Sequence, residues 1–292
     1  MLTPSVGTVL DSYPFSAIVP FWQRQSPAQR VFLLGGLALV LVYLLAALLA
    51  PWLVSLGLPD PQEFLRHSPQ QPPSPQHWFG TDRQGYDVLS RVIFGARAAW
   101  QVVLWATGLS LGVGFPLGAL SGYWGGKVDR VILFLMDTLY TLPGLLLALT
   151  AAFVVGRGVL NAALALSIAY IPQYYRVIRN HTLSLKNELF VEAARALGAG
   201  DWRILVHHLG RHLGRDLPVL ISVNSADAIL TLAGLGFLGL GLPPETPEWG
   251  HELAQALDSL PTGVWWTTLF PGLAMTGLVV GLSLVSEALG EA

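Results

Sequence analysis

The sequence predicts an all-α membrane protein: a polytopic bundle of six transmembrane helices with a short polar helical element between the fourth and fifth. Three observations carry this reading. Of 292 residues, 53% are hydrophobic and only 12% charged, and the mean hydropathy is +0.55. The apolar residues come in long blocks, as lipid requires: ~30 Å of hydrocarbon takes about 20 residues at ~1.5 Å each, and lipid satisfies no open backbone. The cations are shared unevenly between the segments that join the blocks.

Six blocks meet the length test or approach it. Residues 31–58, 98–124 and 264–286 carry no charge, 131–156 carries only Asp137, and 217–242 only Asp227. The remaining block, 158–175, is short for a span and contains Pro172. With the first residues placed in the cytoplasm, the inner segments hold Arg24, Arg30, Lys127, Arg130, Arg176, Arg179, Lys186, Arg195, Arg203, Arg211 and Arg215. The outer ones hold only Arg66, Arg83, Arg91, Arg97 and Arg157, so the positive-inside rule puts both ends inside, as six crossings require.

Residues 1–30, punctuated by Pro4, Pro14, Pro20 and Pro27, read as a cytoplasmic N-terminal segment, and 31–292 as one transmembrane domain. The first block is far longer than a signal-peptide core and reads as a retained anchor. The absence of cysteine excludes a disulfide framework and a thiolate metal site, and leaves the redox compartment open.

Within that domain, 59–97 is an external loop whose stretch "PSPQHWFG" reads as extended and solvated. Its end, 80–97, spaces Leu89, Val92, Ile93 and Ala96 as a helix does, either a surface amphipathic helix or a lead-in to the second span. Glycines one turn apart, Gly108 with Gly112, Gly114 with Gly118, Gly118 with Gly122 and Gly277 with Gly281, suit close helix packing, inside the chain or on a partner. Pro116, Pro143, Pro172 and Pro271 predict kinks. Trp22, Trp52, Trp100, Trp124, Trp249, Trp265 and Trp266 read as interfacial anchors in membrane lipid. The outer stretch "PPETPEWGHEL", with Glu245, Glu248 and Glu252, reads as a polar cap or a contact for an external partner.

The cytoplasmic loop 176–216 contains "EAARALGAGDWRIL", residues 192–205. Ala193, Ala194, Ala196 and Leu197 favour a helix, Gly198 and Gly200 end it and turn the chain, and Asp201 is placed to cap a second helix. Phe190, Leu197 and Trp202 would be left partly exposed on so short an element, the mark of a docking site.

"EAARALG" resembles the EAA signature of membrane permease subunits of bacterial ATP-binding-cassette importers. "FGTDRQGYDVLSRVIFGAR" at 79–97, "MDTLYTLPGLLLAL" at 136–149 and "GFLGLGLPPETPEWG" at 236–250 narrow the resemblance to the second permease of the dipeptide, oligopeptide and nickel importers. The resemblance covers nearly everything from residue 30 onward. It implies a homologous second permease subunit, two cytoplasmic ATPase subunits and an external substrate-binding protein as partners, with no cofactor and no nucleic acid. It also implies that Glu192, Ala193, Ala194 and Gly198, with Leu197 and Asp201 beside them, form the coupling helix seated on an ATPase. Three places depart from the family pattern: Tyr86 stands where Arg is usual after "GTDxxG", Gly210 and Arg211 replace Pro-Asn, and Leu232 stands where Glu precedes "FLGLG".

No nucleotide-binding G-x-x-x-x-G-K-[ST] is present, since "SGYWGGKVD" has Ser121 and Val128 at the required positions, so the chain itself reads as no enzyme and hydrolysis falls to a partner. His207, His208 and His212 cluster, His208 and His212 one turn apart, but no acidic ligand accompanies them, and a solvated helix face is the preferred reading over a metal site. An acid at a span centre costs ~2.5 to 3.5 kcal/mol, so Asp137 and Asp227 should face the bundle or a wet cavity. Asp137 reads as a partner of Arg130 or of a neighbouring helix, or as a substrate contact; Asp227 lies deeper and is a candidate for the translocation pathway. The alternative is an ion-coupled secondary transporter using Asp137 and Asp227, which would not need residues 192–205 and for which inverted repeats are not detectable. An intramembrane enzyme lacks support, because no block contains histidine.

Overall fold

The computed structural model describes residues 26–63, 67–215 and 217–290. The expectations for residues 1–25, including Trp22 and Arg24, and for Arg66 lie outside the described residues. Helix α1, Pro27–Ser55, opens with a reciprocal cap: the Ser26 hydroxyl accepts from the Gln29 amide at 3.2 Å and the Gln29 side chain accepts from the Ser26 amide at 2.6 Å. Pro27 occupies the first helical position, where its missing N–H costs nothing, so it starts a helix instead of breaking one.

Helix α2 runs without interruption over Val88–Trp124, with Asp87 as N-cap accepting from the Ser90 amide. The periodic stretch at 80–97 is therefore the lead-in to the second span, not a separate surface helix. Two helices follow, α3 (Gly126–Tyr140) and α4 (Gly144–Val155), bent by 92° at residues 141–143. Pro143 has no amide hydrogen and pushes Leu142 out of helical geometry, which ends α3. The third block is thus divided between two helices.

Helix α5, Val159–Leu185, passes through Pro172 and Tyr175 without a break, longer than the block suggested. The short helix α6, Leu189–Ala196, and a turn at 197–200 lead to α7, built of Asp201–Arg203, a π-helical stretch Ile204–Leu209 and Gly210–Leu213. Helix α8 (Leu217–Phe237), α9 (Trp249–Ala256) and α10 (Trp266–Gly290) complete the chain.

Among the described residues α1, α2, α8 and α10 are each long and apolar enough to cross a membrane, and the α3–α4 pair makes a fifth if its two helices form one span. Helix α5 has the length, but Asn161, Gln173, Arg176 and Arg179 make it too polar to qualify, so composition does not yield the expected six.

Glycine seams order these helices. A β-carbon on Gly114 would stand 2.9 Å from the Ile171 oxygen, on Gly118 2.6 Å from the Tyr175 oxygen, and on Gly122 2.7 Å from the Arg179 oxygen. Contacts that advance together along both chains mean that α2 and α5 run parallel, backbone against backbone. The same spacing joins α1 to α10 in the opposite sense: Gly36 meets Gly281, Leu284 and Val285, while Gly277 meets Tyr43. Lipid gives no hydrophobic drive for such contacts, so close van der Waals approach supplies it. Gly108 and Gly112 meet nothing and lie on an open face. Around the seams Val102, Leu166, Tyr174, Ile229, Leu232 and Leu278 form one core.

At the α9 end the loop expected to be extended is folded. The Gln70 amide donates to the Asp82 carbonyl at 2.8 Å, the Thr81 amide to the Gln71 carbonyl at 2.9 Å, and Thr81 is fully buried. Two tryptophans expected as anchors are core residues instead. Trp249 donates from its indole to the Val92 carbonyl and fills the space over Gly95; Trp266 donates to the Thr81 carbonyl, each at 3.0 Å. Trp52, Trp124 and Trp265 are exposed, as interfacial residues should be.

Candidate coupling and pathway sites

Helix α6 lies on the ends of α2 and α5. Val191 and Ala194 point inward and share a core with Ala119 and Tyr123 of α2, Ile178 of α5 and Ile204, Leu205 and Leu209 of α7. Glu192, Ala193, Leu197, Gly198 and Asp201 lie outside, so of the six coupling candidates only Ala194 is taken up by the chain's own packing. Gly198 has φ +83°, a left-handed conformation that glycine adopts without a steric penalty, and this reverses the chain between α6 and α7. Leu197 is 89% and Trp202 64% exposed, whereas Phe190 is half-buried against the same core and the His212 ring.

Asp201 does not cap the second helix. Gly200 is the N-cap and makes no side-chain cap bond, while the Asp201 carboxylate accepts from the Tyr123 hydroxyl at 2.6 Å. A tertiary donor has displaced the local one. Nearby, Arg179 of α5 donates from Nε and Nη2 to the two oxygens of Asp129 in α3, both at 2.6 Å, and Ser121 also bonds Asp129. Tyr123, Asp129 and Arg179 were not singled out as site residues from sequence, because their partners lie 50 or more residues apart in three of the four bonds described.

The two span acids differ. Asp137 pairs with Arg176 of α5 at 2.7 Å, not with Arg130, and the Arg176 guanidinium also lies 4.0 Å from the Tyr140 ring centre. Asp227 accepts from the Tyr170 hydroxyl at 2.7 Å, and that hydroxyl also meets Thr231 at 3.0 Å. Asp227 is exposed on the surface of α8 between exposed Val223 and Leu230, so it faces out of this chain. Among the described residues no group of three or more His, Asp or Glu is arranged to hold a metal.

The opposite end is clamped by Arg91, which sequence reading left as a charge between apolar positions. Its guanidinium is buried, 2.5 Å from Glu252 of α9, and donates to the carbonyls of Pro61 at 2.9 Å and Pro244 at 3.2 Å. Tyr86, the departure after "GTDxxG", lies beneath it at 4.4 Å. Glu248 is also buried and caps α9, accepting from the Gly250 and His251 amides at 2.7 and 2.9 Å. Burial pushes its carboxyl up to about 8 against the pull of those amides. Burial, with Glu252 nearby, raises Asp82 to about 6, and burial lowers His251. The acids of "PPETPEWGHEL" therefore build the cap from within, with only Glu245 exposed.

Four apolar helices of membrane-crossing length, a bent fifth pair and a docked two-helix element describe a multi-pass helical membrane protein. Residues 114–292 match the family described as binding-protein-dependent transport system inner membrane component. The chain is similar to the dipeptide transport system permease protein of Alkalihalophilus pseudofirmus, 32% identical over 100% of this chain and 95% of the relative. It is also similar to the di/tripeptide transport system permease protein of Pseudomonas aeruginosa, 36% identical over 96% and 92%. A glutathione transport system permease protein of Pectobacterium atrosepticum is 34% identical over 93% and 89%. The chain belongs to the binding-protein-dependent inner membrane permease family, and is a transmembrane permease subunit of an ATP-driven importer. That assignment sets aside the ion-coupled carrier.

Proposed function

We propose that this chain forms half of a translocation pathway for peptides or related small solutes, beside a homologous second permease, and receives the stroke of two cytoplasmic ATPase subunits on α6. An external binding protein delivers the solute to the α9 end, and both termini lie in the cytoplasm. One observation carries the reading. The inner face of α6 is packed through Val191 and Ala194 into a core shared with α7 and the ends of α2 and α5, while its outer face leaves Glu192, Leu197 and Gly198 uncovered. An apolar knob held this way fits a groove on another protein.

Two further features support it. The parallel course of α2 and α5 supports counting the α3–α4 pair as a return crossing between them and α5 as a further one, and so an even total of six. The lone acid on the outer face of α8, Asp227, is too costly to leave against lipid, so water or a second subunit covers it. The printed names of the relatives support peptides as the solute class.

Leu197→Arg tests the seat directly, because an 89% exposed side chain can change without disturbing the fold. The variant should melt like the wild type and lose co-purification with the ATPase subunits; retained co-purification refutes the seat. Titration of the cognate external binding protein with di- and tripeptides tests the solute class, and absence of binding refutes it.

A further inference from the structure

We infer that Tyr123, Asp129 and Arg179 are positioning residues for energy coupling: a polar linkage that fastens the α6–α7 element to α3 and makes the bent α3–α4 pair follow the ATPase stroke. The inference rests on α6 being the ATPase seat. Tyr123 lies in the last turn of α2, and its ring is buried. Its hydroxyl donates to Asp201 of α7 at 2.6 Å and accepts from Arg195 of α6 at 3.5 Å, so one phenol holds both halves of the element.

Two residues earlier in α2, the Ser121 hydroxyl bonds the Asp129 carboxylate and meets the Tyr175 hydroxyl at 2.8 Å. Asp129 stands in the first turn of α3 and takes two parallel bonds from Arg179 of α5, with both side chains 14% exposed. Lys186 donates to the Gly122 carbonyl at 2.9 Å, so the end of α2 is pinned from α5 as well. Hydrogen-bonded groups thus run from α6 and α7 through the end of α2 to the start of α3.

Apolar packing already docks α6: Val191 and Ala194 share a core with Ile204, Leu205 and the Tyr123 ring, which needs none of the hydrogen-bonding atoms. Apolar contact is non-directional and lets surfaces slide. A two-bond arginine–carboxylate pair fixes direction as well as distance. Helix α3 has no fully buried residue, and its half-buried Ile132, Leu133, Met136 and Leu139 give it only non-directional contact; this linkage and the pairing of Arg176 with Asp137 and the Tyr140 ring supply its directional ties to α2 and α5. A push on α6 reaches α3 through directional bonds or is lost in sliding.

The chain has no cysteine, so two introduced cysteines are its only thiol labelling sites, and the partner subunits are supplied in cysteine-free form. In the full importer, with its partner permease and both ATPase subunits, Val31→Cys on α1 and Val131→Cys on α3 place spin labels on two exposed sites. The distance between them is read by electron–electron resonance before and after trapping with ATP and vanadate. Trapping should shift it in the wild type. Tyr123→Phe and, independently, Ser121→Ala, which removes the bond from α2 to Asp129, should keep ATPase subunits bound and ATP hydrolysis running, yet lose half or more of the shift; combining them should add nothing beyond either alone. Absence of a wild-type shift, or an undiminished shift in both single variants, overturns the linkage. Failure of the seat itself would appear differently, as ATPase subunits that remain bound to Leu197→Arg.

Discussion

Replacing Arg91 with Met removes the clamp of the α9 end while keeping most of the side chain's length. Glu252 would lose a partner 2.5 Å away in a site where the two side chains are 3% and 10% exposed, and the carbonyls of Pro61 and Pro244 would lose their donor. Breaking one side of a buried ion pair costs ~3–5 kcal/mol, because the remaining charge stays in a poor solvent. The freed carbonyls and the lost contact with Tyr86 push toward the upper end of that range, without adding in full. At ~2–4 °C per kcal/mol for a chain approaching this size, the melting point of the detergent-purified protein should fall by roughly 6–20 °C. Scanning fluorimetry of the protein measures this. Adding Glu252→Met should return much of the loss, since an apolar pair replaces a buried ionic one at little net cost. A single variant that melts within about 2 °C of the wild type would show that Arg91 is solvated and that the clamp is not a stability element.

Gly118→Val should destabilise by ~1–3 kcal/mol through overpacking, because its new carbon would stand 2.6 Å from the Tyr175 oxygen and 3.0 Å from the Arg179 nitrogen, neither of which can step aside. Gly108→Val, which meets nothing within 4 Å, is the control and should melt normally. The Glu248 carboxyl is held at about 8, above its ordinary 4.5, so the native state favours the protonated form. Its contribution to stability is full below 4.5 and is lost as pH rises through 8; Glu248→Gln keeps the cap acceptor and should flatten the fall in melting point between those values, and an unchanged pH slope would show that Glu248 is ionised throughout. Asp227→Asn should slow solute uptake by the reconstituted importer while leaving assembly intact, whereas uptake at the wild-type rate removes Asp227 from the pathway.

Much of this architecture was legible because it is local. Ala193 to Ala196 and the glycines at 198 and 200 state helix and turn within a dozen residues, and the uncharged blocks state their spans by length. The glycine ladder on α2 was visible as a one-turn repeat, but its partner was not, since the surface of α5 that receives it is defined only when the two helices meet. Pro143 announced a kink; its 92° came from the packing of α4, whose Ala148 and Ala152 join the core beside the alanines of α5. Arg91 and Glu252 are 161 residues apart, and Tyr123 and Asp201 78 apart, so no local pattern pairs them. In the second case the rule for a helix cap was sound chemistry overruled by a nearer hydroxyl.

The break between α3 and α4 also bears on the fate of a solitary copy. Residues 140–146 are exposed on this chain, and the interruption strands peptide carbonyls and amides at a depth where acyl chains offer them no partner. Bare lipid around that notch would admit water or deform, so any surface that covers the bend, of protein or of ordered water, lowers the cost of holding these residues within a membrane.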